Sequence, residues 1–176
     1  PWRGAKGDLH EGGLRVPMIA HWPAGIAAPG ESDHVWAFWD LLPTAAELAG
    51  AEYPETDGVS IAPLLAGETE RQAAHDFLYW EFLGAEGVEQ SVLLGDLRAW
   101  RANAASPIEV HDVEADPGQE CDLADERPEV VARAAALFDS EHTPSPYFPS
   151  PGESIEAWRQ RARRDGAELV DNVSTF

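Results

Sequence analysis

Between Leu14 and Trp22 the apolar residues run almost without a break, with Val16, Met18, Ile19 and Ala20 in close succession. Such a run reads as a strand covered on both faces, as in an α/β sheet. The Pro, Gly and Ser residues of PAGIAAPGES (23–32) then predict a loop. A helical rhythm follows. Asp40 is placed as an N-cap, Pro43 suits a first turn, and Leu41, Ala45, Leu48 and Ala49 share one face before Gly50 ends the helix. TDGVSIAPLLAGE (56–68) reads as a turn and a short apolar segment. HDFLYWEF (75–82) is rich in strand formers, and QSVLLGDLRAWRA (90–102) reads as two strands about the Gly95-Asp96 pair. PIEVHDVEADPGQECDLAD (107–125) adds a strand and a turn at Asp116-Pro117-Gly118. In 127–142 the stripe Val130, Val131, Ala134, Leu137 and Phe138 marks the clearest helix. Four prolines, Pro144, Pro146, Pro149 and Pro151, predict an extended tail, and 154–166 a short basic helix. The order is a strand and helix of α/β character, then several strands with one helix packed on them.

Composition narrows the partners. A chain of 176 residues can bury about 70% of its unfolded surface, so a true core is within reach. Twelve basic against 32 acidic residues give a net charge of −20, which repels a nucleic acid on average. No apolar run is long enough to span a membrane, and no signal peptide is visible. The single cysteine, Cys121, rules out an internal disulfide and fixes no compartment.

The chemistry concentrates near the start. Lys6 lies beside Gly4 and Gly7, with His10, Glu11 and the Gly12-Gly13 pair close behind. Glycines let a backbone turn tightly and approach a ligand, and an ammonium is a compact charge with three donors. The stretch reads either as an anion-binding element or as a solvent lysine in a glycine-rich loop. His21, His34, His75 and His111 show no compact metal spacing. Trp36, Trp39, Trp80 and Trp100 sit in apolar runs and read as packing residues rather than a carbohydrate platform.

RGAKGDLHEGGLRVPMIAHWPAGI (3–26) resembles the second signature region of the sulfatases, in which a lysine precedes Tyr-Glu-Gly-Gly, hydrophobics, Pro and Trp-Pro-Gly. FWDLLPTAAELAG, DGVSIAPLLAGE, HDFLYWEF and VHDVEADPGQECDLAD follow in the family's order. The last resembles its Leu-Tyr-Asp-Leu-x-x-Asp-Pro-x-Glu-x-x-Asn/Asp-Leu-Ala pattern. HTPSPYFP resembles the tail of bacterial members, so the likeness covers roughly 3–149.

The resemblance implies an α/β fold: the C-terminal part of an alkaline-phosphatase-like α/β/α core with a small antiparallel subdomain and its helix. Residues 1–70 would be the end of the catalytic core, 71–148 the subdomain, and 149–176 an extended tail with a short basic helix. It implies hydrolysis of a sulfated carbohydrate or an aryl sulfate ester, with Lys6 binding the sulfate and offsetting transition-state charge. His10 stands where Tyr is usual, and either reaches substrate or braces the loop. Arg98, in GDLRAW, stands near a basic position of structural role. The family's nucleophile is a formylglycine made within Cys/Ser-x-Pro/Ala-x-Arg, beside a Ca²⁺ held by Asp and Asn oxygens. Cys121 is followed by DLAD and does not fit that motif. With Pro1 first and no metal-binding Asp-Asn pair before Lys6, the expectation is a C-terminal third whose formylglycine and Ca²⁺ ligands lie in a missing N-terminal portion, and which is inactive alone. A non-catalytic binding or structural remnant, and a related phosphatase or phosphonate hydrolase, stay open as alternatives.

Overall fold

The structure is a computed structural model that describes residues 1–26, 30–84 and 87–167. Residues 27–29 of the 23–32 loop and 168–176 of the tail lie outside the described residues. In chain order the elements are α1 (Glu11–Leu14), α2 (Leu41–Ala49), α3 (Ala62–Leu65), β1 (Leu78–Gly84), β2 (Gly87–Leu94), β3 (Leu97–Arg101), β4 (Glu109–Asp112), α4 (Pro128–Ser140) and α5 (Ile155–Arg164). Contacts divide the chain into two compact units, Pro1–Arg15 with Phe77–Phe176, and Val16–Asp76. This grouping differs from a division at residue 70, because the first 15 residues pack on the later sheet.

The first unit is a four-stranded antiparallel meander in the order β1-β2-β3-β4. Gly95 turns β2 into β3 with φ +62°, a conformation that costs glycine little at the first position of a two-residue hairpin. Register then sorts the side chains by a period of two. Val92, Ala99 and Val110 are partners across three strands and share one face. They meet Ala134 and Phe138 of α4, and all five are at most 1% exposed. Gln90 on the same face donates from Nε2 to the Phe138 carbonyl at 2.9 Å. Trp80, Ser91, Arg98, Trp100, Glu109 and His111 line the opposite face by the same register. That face is covered by the N-terminal segment, so a polar and aromatic surface is buried there. The outer edge of β4 is closed by its own loop: Asp122 accepts from Val110 N at 2.9 Å, and Leu123 N donates to Val110 O at 2.7 Å. The predicted basic helix is α5, capped by the Ser154 hydroxyl on Ala157 N.

The second unit overturns two expectations. Residues 16–22 form no strand, and Val16, Met18, Ile19 and Trp22 are exposed, Ile19 by 93%. An apolar run becomes a strand only where a neighbour takes its backbone hydrogen bonds, and no strand of the described residues pairs with it. In α2 the stripe Leu41, Ala45, Leu48 and Ala49 faces outward, while Pro43, Thr44 and Ala46 are buried. Polar anchoring decides this orientation. The Thr44 hydroxyl donates to Asp40 O at 2.6 Å and accepts from Ile61 N at 2.9 Å.

Asp40 holds the N-cap position of α2 as expected, but its side chain bonds elsewhere than the helix. Its carboxylate, 0% exposed, accepts from Ala37 N at 2.7 Å, Val59 N at 2.8 Å and His75 Nε2 at 2.9 Å. One carboxylate thus ties together the entry to α2, the 56–61 segment and the approach to β1. No helix of the described residues is long and apolar enough to cross a membrane.

Candidate functional site

Lys6 is the only lysine among 12 basic residues. It is exposed at the corner of a turn closed by Asp8 N donating to Ala5 O at 3.0 Å. Gly4 and Gly7 flank it with φ +83° and +88°, values that an L side chain resists. Gly12 and Gly13 serve a different purpose. A Cβ on Gly12 would lie 2.3 Å from Gly4 O, and one on Gly13 would lie 2.0 Å from Asp8 O and 2.6 Å from Ala5 O. The glycine pair lets α1 rest directly on the backbone of the Lys6 turn. Gly13→Ala should therefore shift the turn and cost about 1–3 kcal/mol, read as a lowered urea midpoint. An unchanged midpoint would contradict the packing.

Glu11 anchors the far side of this turn. Its Oε1 accepts from Arg98 Nε at 3.0 Å and Nη2 at 2.6 Å, and both residues are buried. The third arm of the guanidinium, Nη1, donates to Ser91 Oγ at 2.9 Å. The plane lies 5.3 Å from the centre of the Trp80 ring. Burial lowers the Arg98 pKa from its ordinary value, and Glu11 opposes that fall. Arg98 thus takes the structural place expected of it. Gln119 completes the anchor: its Oε1 accepts from Glu11 N at 2.9 Å. Among the described residues Gln119 alone of the non-glycines has positive φ, +50°.

His10 is 4% exposed and lies under Trp100, with ring centroids 4.5 Å apart. Asp8 Oδ1 accepts from His10 N at 2.9 Å and also faces Nδ1. The carboxylate selects the tautomer with the proton on Nδ1, which leaves the buried Nε2 as an acceptor without a hydrogen-bond partner. Burial lowers the His10 pKa, opposed by Asp8 and Glu109 and assisted by Arg3. The consequence for stability has a definite sign. When the chain unfolds, the ring regains its ordinary affinity for a proton, so the unfolded state binds more protons below the usual histidine range. Stability should fall as pH drops from about 6.5 toward the lowered folded value, and His10 should add no further slope below that. Urea unfolding of the native chain and of His10→Tyr across this window provides the check. The difference between them should shrink with falling pH, and a constant difference would refute it.

Arg3 clamps the near side. Its Nη1 donates to Glu109 Oε2 at 2.9 Å, and its guanidinium lies 5.7 Å from the Trp100 ring centre. Gly12 N donates to Arg3 O at 2.7 Å. His111 donates from Nδ1 to Cys121 O at 2.8 Å, and its Nε2 faces Glu109. Cys121 is exposed. Among the described residues no three His, Cys, Asp or Glu side chains converge as a metal cage. The structure therefore brings Lys6, His10 and Glu11 together on one braced loop. Arg3, Glu109 and Gln119 were missed in the sequence. Gln119 had one signal, since it occupies the Glu of the Asp-Pro-x-Glu pattern.

Comparison with known proteins places this arrangement. Residues 5–131 match the family model described as N-sulphoglucosamine sulphohydrolase, C-terminal. Arylsulfatase A of Bos taurus is 33% identical over 185 residues, covering 86% of this chain and 36% of that protein. Steryl-sulfatase of Homo sapiens is 42% identical over 81 residues, covering 44% of this chain and 14% of that protein. The solved structure of Ps i-CgsB has 25% identity and a TM-score of 0.73, covering 94% of this chain and 38% of that one. It has also been solved in complex with k-i-k-neocarrahexaose. The chain thus spans about a third of the length of arylsulfatase A. The neighbours establish the alkaline-phosphatase-like α/β class, here with a four-stranded antiparallel sheet and helices.

Proposed function

The chain belongs to the sulfatase family, matching its C-terminal region over residues 5–131, and from that premise we propose that it supplies the sulfate-binding lysine of a sulfuric ester hydrolase. The observation that carries this reading is Lys6 itself. In a chain that otherwise uses arginine, one ammonium sits on a turn clamped from both sides. An ammonium directs three donors from a small centre, which suits the closely spaced oxygens of a sulfuryl group. As the S–O bond to the alcohol breaks, its electron pair passes to the leaving oxygen, and a preorganised cation held at the sulfuryl group offsets the developing charge without reorientation.

His10 supports Lys6 from below. Its burial under Trp100 and its hold on Asp8 favour bracing of the turn over contact with substrate. The substrate class is a sulfate ester of a carbohydrate or an aryl alcohol. The neocarrahexaose complex of Ps i-CgsB favours the carbohydrate.

The nucleophile and a Ca²⁺ site belong, in this reading, to a longer polypeptide. The exposed run at 16–22 and the outward stripe of α2 support that assignment, since both are apolar surfaces suited to burial in a larger α/β domain. The sequence context of Cys121, which is followed by DLAD, supports it too. The test is turnover of a sulfated chromogenic substrate. The 176 residues alone should be inactive. The longer polypeptide should be active, and should lose that activity with Lys6→Met. Activity in the isolated chain, or an indifferent Lys6→Met, would overturn the proposal.

A further inference from the structure

The polar face of the sheet poses a physical question. Arg98 is 2% exposed and Glu11 5%, yet a buried ion pair rarely stabilises a fold more than well-packed apolar residues of the same volume. What such a pair supplies is direction. The guanidinium is a rigid fork, and all three of its nitrogens are engaged: Nε and Nη2 on Glu11 Oε1, Nη1 on Ser91 Oγ. With Ser91 on β2 and Arg98 on β3, the fork is fixed by the sheet. Glu11 then has one position available. Its backbone N–H is fixed separately by Gln119 Oε1 at 2.9 Å, from a residue held in a left-handed conformation that disfavours a side chain. Glu11 follows Lys6 by five positions, and the Gly12-Gly13 backbone lies directly against carbonyls on either side of Lys6, those of Gly4, Ala5 and Asp8.

We propose that Glu11, Arg98 and Gln119 are positioning residues, a three-point clamp that sets where the Lys6 ammonium projects. The clamp acts through the backbone of residues 8–13, and none of the three touches substrate. The functional part of the proposal rests on the sulfatase reading of Lys6. The mechanical part does not.

The mechanical part is tested in the 176-residue chain by amide hydrogen exchange followed by NMR. Glu11→Leu/Arg98→Met replaces the pair by apolar residues and leaves no orphan charge. Protection of the amides of Asp8, Gly12 and Leu14 should fall at least tenfold, while Val92, Ala99 and Val110 keep theirs. Equal protection at the turn in a chain with an intact sheet would overturn the clamp. Should the double variant also lose the sheet amides, Gln119→Ala carries the test, because it leaves the ion pair in place. The same selective loss is expected, Gln119→Glu should restore it by returning an acceptor, and failure on either count would overturn the clamp. In the longer polypeptide the double variant should lower kcat by about 10–100-fold, the scale on which a displaced group loses its alignment. Lys6→Met separates the two readings. If it is indifferent, the sulfate-binding role fails. If it abolishes turnover while the double variant matches the native enzyme, the positioning proposal alone fails.

Discussion

Lys6→Met in the longer polypeptide should lower kcat/KM for a sulfate ester by about 10²–10³-fold, the loss typical when one preorganised charge-stabilising donor is removed. Methionine keeps the length of the side chain and its apolar stem, and the variant removes the charge with its three donors. Lys6→Arg is the sharper test. It keeps a positive charge, but spreads it over a planar fork on a longer arm that needs a different approach to an oxygen. The turn gives no slack to accommodate the change, because its glycines occupy left-handed conformations and its backbone carries α1. Arginine should therefore recover less than a tenth of the native kcat/KM. A near-native Lys6→Arg enzyme would mean that any cation suffices, and would contradict a fitted ammonium site. Inhibition by inorganic sulfate should weaken alongside turnover if Lys6 also holds the ground-state anion.

Asp40→Ala should be the most damaging substitution for folding in the Val16–Asp76 unit, costing about 3–5 kcal/mol. The carboxylate is fully buried, and its loss strands the N–H groups of Ala37 and Val59 and the Nε2–H of His75. Water cannot replace it without opening the packing between α2 and the 56–61 segment. Asn at this position should recover only part of the loss, because one of its two polar atoms is a donor facing donors. Amide exchange offers a local readout: Ala37, Val59 and Ile61 should lose protection while the β2–β3 amides stay slow. An unfolding free energy within about 1 kcal/mol of native would show that Asp40 is not the tie that its contacts describe.

How much of this was legible in the residues differs from element to element. The α4 stripe and the Gly95-Asp96 hairpin could be read directly, because each depends on local rhythm and on one backbone conformation. Lys6 and the glycines around it could be identified as chemistry-bearing. The reason for Gly12-Gly13 could not, since neither adopts positive φ; they are glycines because backbone oxygens from residues 4, 5 and 8 occupy the space of a Cβ. The apolar run at 14–22 and the α2 stripe misled for one shared reason. Periodicity reports that a face is apolar, and does not report what covers it. Within this chain those faces meet solvent.

By itself, the order of residues determined the kind of element at most positions, the acidic balance of the surface, and the run of motifs that places Lys6 in a sulfatase. These follow from local propensity and from the chemistry of single side chains. Only the tertiary structure decided that Glu11 meets Arg98 across 87 residues, that Gln119 reaches back 108 to hold its backbone, and that His10 lies beneath Trp100. No spacing rule encodes such contacts, because they arise when strand register brings distant side chains to one face of a sheet.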